Sequence, residues 1–252
     1  MAIITAISNQ KGGVGKTTTA QALACGLRKR GQRVLLVDLD PQANLTYSMG
    51  ATIEEGEPSV YECMIGEAEA AQVIRKNENG EILPSSLSLS GIERKLNSMG
   101  RAHVLRKLLE PIRSNYDHII IDTPPALNVI TENAYTAADQ VIVTLEASAY
   151  SVQGVFQLYG MIEEAQEYTN KGLKLAGVLI CRYKGQTTIG KGIRDQIEQL
   201  AEQLGTTAYE TVIREGVAVQ EAQAVKANLQ EYAPQSNQAK DYEAFVEEFL
   251  RR

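Results

Sequence analysis

The sequence predicts an α/β fold, a three-layer sandwich with a mostly parallel central sheet, and three observations predict it. Short, continuously apolar runs rich in β-branched residues recur at Ala2 to Ile7, Val34 to Val37, Ile119 to Ile121 and Val141 to Leu145. Segments with helical apolar spacing lie between them, and a glycine-rich stretch, KGGVGKTT at residues 11–18, joins the first run to the first such segment. A strand covered on one face alternates apolar and polar residues. These runs do not alternate, so both faces must be covered, as in a parallel sheet with helices on either side and right-handed crossovers.

Each element follows in order. After the first strand, Thr17 to Arg30 puts Ala20, Leu23, Ala24 and Leu27 on one stripe, gathers Arg28, Lys29 and Arg30 where the helix dipole favours cations, and stops at Gly31. Val34 to Val37 is the second strand. Residues 51–100 are less regular, with the turn-like NENGE and the serine-rich SSLSLS, and read as an insertion of short helices with one strand. Helices are expected over 101–114, 126–138, 151–168 and 188–204, and a further strand over Leu173 to Cys181. No repeat or linker divides the chain, so residues 1–252 are expected to form one domain.

Composition bounds the function. With 44% hydrophobic and 22% charged residues the chain can bury one substantial core. No run approaches the roughly 18 apolar residues of a membrane span, and the start MAIITAISNQ lacks the order of a secretory signal, so a cytoplasmic protein is expected. Cys25, Cys63 and Cys181 are too widely spaced for a zinc site or a disulfide framework and read as buried free thiols. The net charge of -6 gives no global attraction to nucleic acid or anionic lipid, so either partner would need a local patch.

The glycine-rich stretch carries the chemistry. In the phosphate-loop pattern G-x-x-x-x-G-K-[ST], Gly15, Lys16 and Thr17 occupy the last three positions, but the first glycine is replaced by Gln10, beside an extra cation, Lys11. Gly12, Gly13, Val14 and Gly15 lie between strand and helix. There the backbone N–H groups and the helix N-terminus would cradle phosphates, Lys16 would reach the β and γ oxygens, and Thr17 would hold Mg²⁺. A dinucleotide frame starting at Gly13 fails, because it ends on Thr18. VLLVDLDPQ places Asp38 and Asp40 at the end of the second strand, and HIIIDTPP places Asp122 at the end of another. Any one aspartate alone reads as a turn former or helix cap. Their convergence on the carboxyl edge of the sheet favours a metal and hydrolysis site, with Thr123-Pro124-Pro125 as a switch loop.

With those residues the chain resembles the ParA branch of the ParA/MinD superfamily of P-loop NTPases, the deviant Walker A ATPases. The signature K-G-G-x-x-G-K-[ST] runs from Lys11 to Thr17. VDLDPQAN, IIIDTPPAL, the SVQG segment and, more loosely, EYAPQSNQAKDYEAFVEEFL extend the likeness over essentially the whole chain, and DLDPQ leans toward ParA. The resemblance implies that Lys11 reaches across an ATP-dependent homodimer to the partner's phosphates, as an arginine finger does in other NTPases for roughly 10³ to 10⁵ in rate. It assigns Lys16 to the β and γ phosphates, Thr17 to Mg²⁺, Thr18 to the α phosphate, Asp40 to the attacking water and Asp122 to the metal shell. Asp38 becomes a supporting carboxylate near Lys16 or the metal, and the adenine pocket lies near Cys181-Arg182 and the loop after Ile213 that holds Arg214.

The resemblance further implies non-specific DNA binding by the ATP dimer, a nucleoid-associated location, and release by a ParB-type centromere-binding protein. RYKGQTTIGKGIR, residues 182–194, holds Lys184, Lys191 and Arg194 without an acid, and with Arg214 these are the expected DNA contacts. By itself the stretch reads sooner as a solvated helix surface than as a DNA contact, and it is the resemblance that reverses this. Two family features are changed: KGQ stands around Gln186 where many chromosomal relatives have Arg, and Arg214-Glu215-Gly216 replaces Pro-Arg-Asn. Because the chain starts almost at its first strand, an N-terminal operator-binding helix-turn-helix is not expected. Alternatives remain open. A MinD-like membrane oscillator would carry a basic amphipathic C-terminal helix, but Asp241, Glu243, Glu247 and Glu248 surround the stripe of Tyr242, Phe245, Val246, Phe249 and Leu250, which is expected to dock on the core. An iron-sulfur reductase would need paired cluster cysteines. A metabolic kinase on the same scaffold, or an assembly protein in which turnover is structural, is not excluded by motif.

Overall fold

The computed structural model describes residues 1–96, 100–147, 151–184 and 188–252, except the side chains of residues 151–154 and 188–191. The strands are β1 (Ile3–Ser8), β2 (Val34–Asp38), β3 (Arg75–Asn77), β4 (Gly80–Leu83), β5 (His118–Asp122), β6 (Gln140–Glu146), β7 (Lys174–Tyr183) and β8 (Ala208–Arg214). The α-helices, with short ones included, are α1 (Lys16–Lys29), α2 (Asn44–Ser48), α3 (Val60–Met64), α4 (Ala70–Val73), α5 (Val104–Leu109) and α6 (Val129–Ala137). They continue with α7 (Ser151–Glu164), α8 (Thr188–Gln203), α9 (Ala218–Ala224), α10 (Leu229–Tyr232) and α11 (Asn237–Arg251).

The strands form one sheet in the order β3-β4-β2-β5-β1-β6-β7-β8. Only the β3–β4 pair is antiparallel. All residues of β2 and β5 are buried, as continuously apolar strands require when both faces are covered. One core lies between the sheet and α1 with α11, with Leu23, Leu27 and Phe245 at its centre. The other packs α5, α6 and α7 on the opposite face around Leu105, Tyr135 and Leu158. On α1, a Cβ added to Gly26 would lie 2.6 Å from Val246 Cγ2, so the absence of a side chain there sets how closely α1 approaches α11. The C-terminal helix starts on Ser236, whose hydroxyl accepts from the Ala239 amide, and buries Tyr242, Phe245, Val246 and Phe249 as expected, while Leu250 stays exposed.

Several expectations need correction. The segment 51–100 holds two strands, not one: NENG turns β3 into β4, and β4 joins β2 in parallel, so the insertion extends the main sheet. With three polar residues, β3 has no periodicity to reveal it. The strand β8 was not foreseen, because as an edge strand it mixes exposed and buried residues and reads AYETVIR. The helix expected over 101–114 is α5 flanked by 3-10 turns at Arg101–His103 and Glu110–Asn115, the second holding Pro111 near its start. The helix expected from residue 126 begins at Val129, because Asn128 caps it by accepting from the Ile130 amide. The helix expected over 151–168 is α-helical to Glu164 and closes in a π turn, Ala165–Thr169. All three cysteines are free and buried, and no helix among the described residues is long and apolar enough to cross a membrane.

Candidate functional site

The loop between β1 and α1 takes its path from two left-handed glycines, Gly13 at φ 73° and Gly15 at φ 90°. A side chain there would strain the backbone. Gly15 also sits against Cys181, whose Sγ would be 3.3 Å from an added Cβ. An added Cβ on Gly12 or Gly13 meets no protein atom within 4 Å, so that face of the loop is open to a ligand. Val14 is buried and anchors the loop. The N-terminus of α1 has no side-chain cap, which leaves its first amides for an anion. Asn9 pins the entry to the loop: its Nδ2 donates to the Thr144 carbonyl, and its Oδ1 accepts from the Lys11 amide at 2.8 Å.

Sheet register brings the polar groups together. Asp38 and Asp122 are paired neighbours on β2 and β5, and Ile7 of β1 pairs with Asp122, so both acids stand at the carboxyl edge beside the loop. Thr17 Oγ1 donates to Asp122 Oδ2 at 2.7 Å. Asp122 Oδ1 is buried without a partner. Burial first, and then the charge of Asp38, raises the Asp122 pKa well above the ordinary carboxylate value. Lys16 is buried, and its Nζ donates to the Lys11 carbonyl at 3.1 Å. Burial lowers its pKa, opposed by Asp122 and Asp40.

Asp38 holds the turn that follows its strand. Its Oδ1 accepts from the Asp40 amide at 3.0 Å, and its Oδ2 accepts from the amide and hydroxyl of Thr46 at 2.8 and 2.7 Å. Burial pushes its pKa up to about 6. Both oxygens hold the turn from β2 into α2, so Asp38 anchors that turn at the carboxyl edge of the sheet. Asp40, by contrast, lines the cleft, with Oδ1 accepting from the Gln42 amide at 2.9 Å.

The unpartnered Asp122 oxygen next to the Thr17 hydroxyl fits a hard divalent cation that completes its oxygen shell with phosphate and water. Among the described residues no group of three or more His, Cys, Asp or Glu side chains is placed to hold a metal alone. Such a cation would thus arrive with a phosphate ligand.

From this loop a cleft of about 810 Å³ runs past Thr18 to Tyr47 on α2, to Arg182 and Arg214 at the ends of β7 and β8, and to α9. Several of the expected functional cations, at the cleft and beyond it, are paired within the chain. Lys11 Nζ lies 2.5 Å from Glu146, with its side chain 52% exposed. Arg182, at φ 52°, contacts Glu215 at 2.8 Å and Glu146 at 3.5 Å. Arg214 meets Asp241 at 2.6 Å through a two-pronged guanidinium contact. Lys184 pairs with Glu215 and Arg194 with Glu198. The absence of acids in residues 182–194 therefore does not leave a bare basic surface, since Glu198, Glu215 and Asp241 are brought in by α8, the turn after β8 and α11. The Lys191 side chain and Gln186 lie outside the described residues. Asn9, Thr46, Tyr47, Glu146 and Gln223 were not foreseen; only Asn9, abutting the loop, had any sequence cue.

Residues 1–175 match the family model described as an AAA domain. The chain is 36% identical over 245 residues to the sporulation initiation inhibitor protein Soj of Bacillus subtilis, covering 96% of each chain. Over 224 residues it is 37% identical to the chromosome partitioning protein ParA of Caulobacter vibrioides, covering 87% of this chain and 83% of that one. The chain belongs to the ParA/Soj/MinD family of deviant Walker A ATPases. The likeness holds in three dimensions: cobyrinic acid a,c-diamide synthase from Mycobacterium smegmatis, solved with bound ADP and magnesium, superposes with a TM-score of 0.83 at 33% identity, covering 100% of this chain and 95% of that one. In this ParA-family ATPase the uncapped α1 N-terminus, Lys16 and Thr17 stand at one end of the cleft, with Asp122 bonded to Thr17 behind them.

Proposed function

We propose that this ParA-family ATPase is a DNA-partitioning protein of plasmid or chromosome. Its ATP-bound homodimer binds DNA non-specifically, and a ParB-type partner stimulates the hydrolysis that releases it. The observation that carries this reading is the separation of the two loop lysines. Lys16 is buried inside its own phosphate loop, while Lys11 turns away from that loop to Glu146 and is half exposed. A cation placed on the outside of its own site is available to a second one.

In this reading the loop amides and Lys16 bind the β and γ phosphates, with Lys16 exchanging the Lys11 carbonyl for phosphate oxygen. Bound Mg²⁺, held by the Thr17 hydroxyl and the Asp122 shell, neutralises phosphate charge. Asp40, kept at the cleft by the Asp38–Thr46 anchor, orients the attacking water. Lys11 leaves Glu146 for the triphosphate of the partner subunit, which couples ATP binding to dimerisation. Lys184, Lys191, Arg194 and Arg214 provide the DNA contacts. The acids beside the three described ones keep a monomer's attraction weak, so doubling the footprint in a dimer matters more. The name of the ParA relative agrees with a partition role. The membrane-oscillator alternative is disfavoured, because the apolar face of α11 is engaged in the core.

The test is DNA retention with ATP, ADP or no nucleotide across a salt series. ATP-selective, salt-sensitive retention is expected. Recruitment to liposomes without a DNA effect would favour the MinD-like reading.

A further inference from the structure

The wall of the cleft facing the phosphate loop is α9, which contributes Val219, Gln220, Gln223 and Ala224. Gln223 Nε2 donates to Thr18 Oγ1 at 3.2 Å. Thr18 stands where the loop passes into α1. Both side chains line the cleft that starts at the loop, so a ligand anchored by its phosphates on the loop amides and extending along the cleft runs beside them.

The charged groups on that path are already engaged, Arg182 with Glu215 and Glu146 and Arg214 with Asp241. Gln223 is different. Its neutral carboxamide carries two N–H donors and an acceptor oxygen, the set that sugar hydroxyls and base edges require, and can exchange Thr18 for a ligand without stripping water from a charge. Its helix is also held in place. The Lys226 ammonium lies 4.5 Å above the Tyr47 ring, Asn79 Nδ2 donates to the Lys226 carbonyl at 3.1 Å, and Asn228 Nδ2 donates to Asn79 Oδ1 at 3.1 Å. These ties bind the segment that follows α9 to α2 and to the β3–β4 turn, so the C-terminal end of the wall is fixed before a ligand enters.

We infer that Gln223 is a nucleoside-recognition residue, whose carboxamide leaves Thr18 to hydrogen-bond the nucleoside half of a bound triphosphate. This rests on the reading of the cleft as an ATP site. Through it α9 reads the part of the ligand that the phosphate loop cannot distinguish from inorganic tripolyphosphate.

The experiment is calorimetric binding of Mg-ATP and of Mg-tripolyphosphate to wild type, Gln223→Met and Gln223→Ala, with thermal unfolding of each empty protein as a control on folding. Both variants are expected to bind ATP about three- to tenfold more weakly, the range of one lost hydrogen bond, and to bind tripolyphosphate as wild type does. Unchanged ATP affinity, or equal weakening for both ligands, would overturn the assignment. A folded wild type that binds neither ligand would instead overturn the nucleotide reading, and the assignment with it.

Discussion

Lys11 and Glu146 are joined by a 2.5 Å ion pair that ties the phosphate loop to the carboxyl end of β6. If Lys11 serves the neighbouring subunit, Glu146 competes with that subunit's phosphates for it. Glu146→Gln is therefore expected to shift ATP-dependent dimerisation to lower protein concentration. The shift should be at most about thirtyfold, because each dimer releases two such pairs and a half-exposed pair is worth no more than about 1 kcal/mol. Sedimentation of a hydrolysis-blocked background with Mg-ATP measures it, and a shift to higher concentration would sink the idea of competition.

Asp40 lines the cleft and its carboxylate accepts from the Gln42 amide, whereas the carboxylate of Asp38 carries the anchoring bonds to Thr46. Asp40→Ala should accordingly bind ATP and dimerise like wild type while losing at least a hundredfold in turnover, roughly the effect of deleting a positioned proton-transfer or water-orienting group. Nucleotide binding and phosphate release, assayed side by side, decide it; wild-type turnover is incompatible with the assignment.

His118 is buried at the start of β5, its Nδ1 has no partner, and its ring packs 5.9 Å from that of Phe249. Burial lowers its pKa below the usual 6.5, with Asp117 opposing. The unfolded chain then binds the proton more readily, so the contribution of His118 to stability is full above about pH 6.5 and is lost as pH falls through the lower folded value. One group gives a slope of at most about 1.4 kcal/mol per pH unit. His118→Leu should flatten the melting temperature between pH 7 and pH 5 relative to wild type; parallel curves for the two proteins would refute this origin.

Gly26→Ala places a Cβ 2.6 Å from Val246 Cγ2 at the α1–α11 contact. Overpacking of this kind costs about 1 to 3 kcal/mol, or several degrees in melting temperature for a chain of this size. Val246→Ala in the same chain should recover part of the loss, since the two positions are in contact and their effects do not add. Additive losses in the double variant would show that the strain lies elsewhere.

The central strands, the loop-to-helix joint at Gly13 to Thr17 and the acids at the strand ends were legible because each rests on neighbours in the chain. Burial on both faces leaves a continuously apolar run, a left-handed turn calls for glycine, and a residue at the end of a strand stands at the edge of the sheet wherever that strand pairs. The edge strands β3 and β8 escaped, since partial exposure erases the pattern that reveals a strand.

By itself, then, the sequence determined a parallel sheet with a phosphate loop at its carboxyl edge and three acids, Asp38, Asp40 and Asp122, beside it. Tertiary structure alone decided what each polar group touches: Lys11 with Glu146 at 135 residues' separation, Gln223 with Thr18 at 205, and Arg214 with Asp241 at 27. It also ties Asp38 to Thr46, eight residues on. The reason is physical. Periodicity and backbone conformation are local properties, whereas a hydrogen bond or ion pair across the fold depends on where loops return the chain, and no residue spacing encodes that.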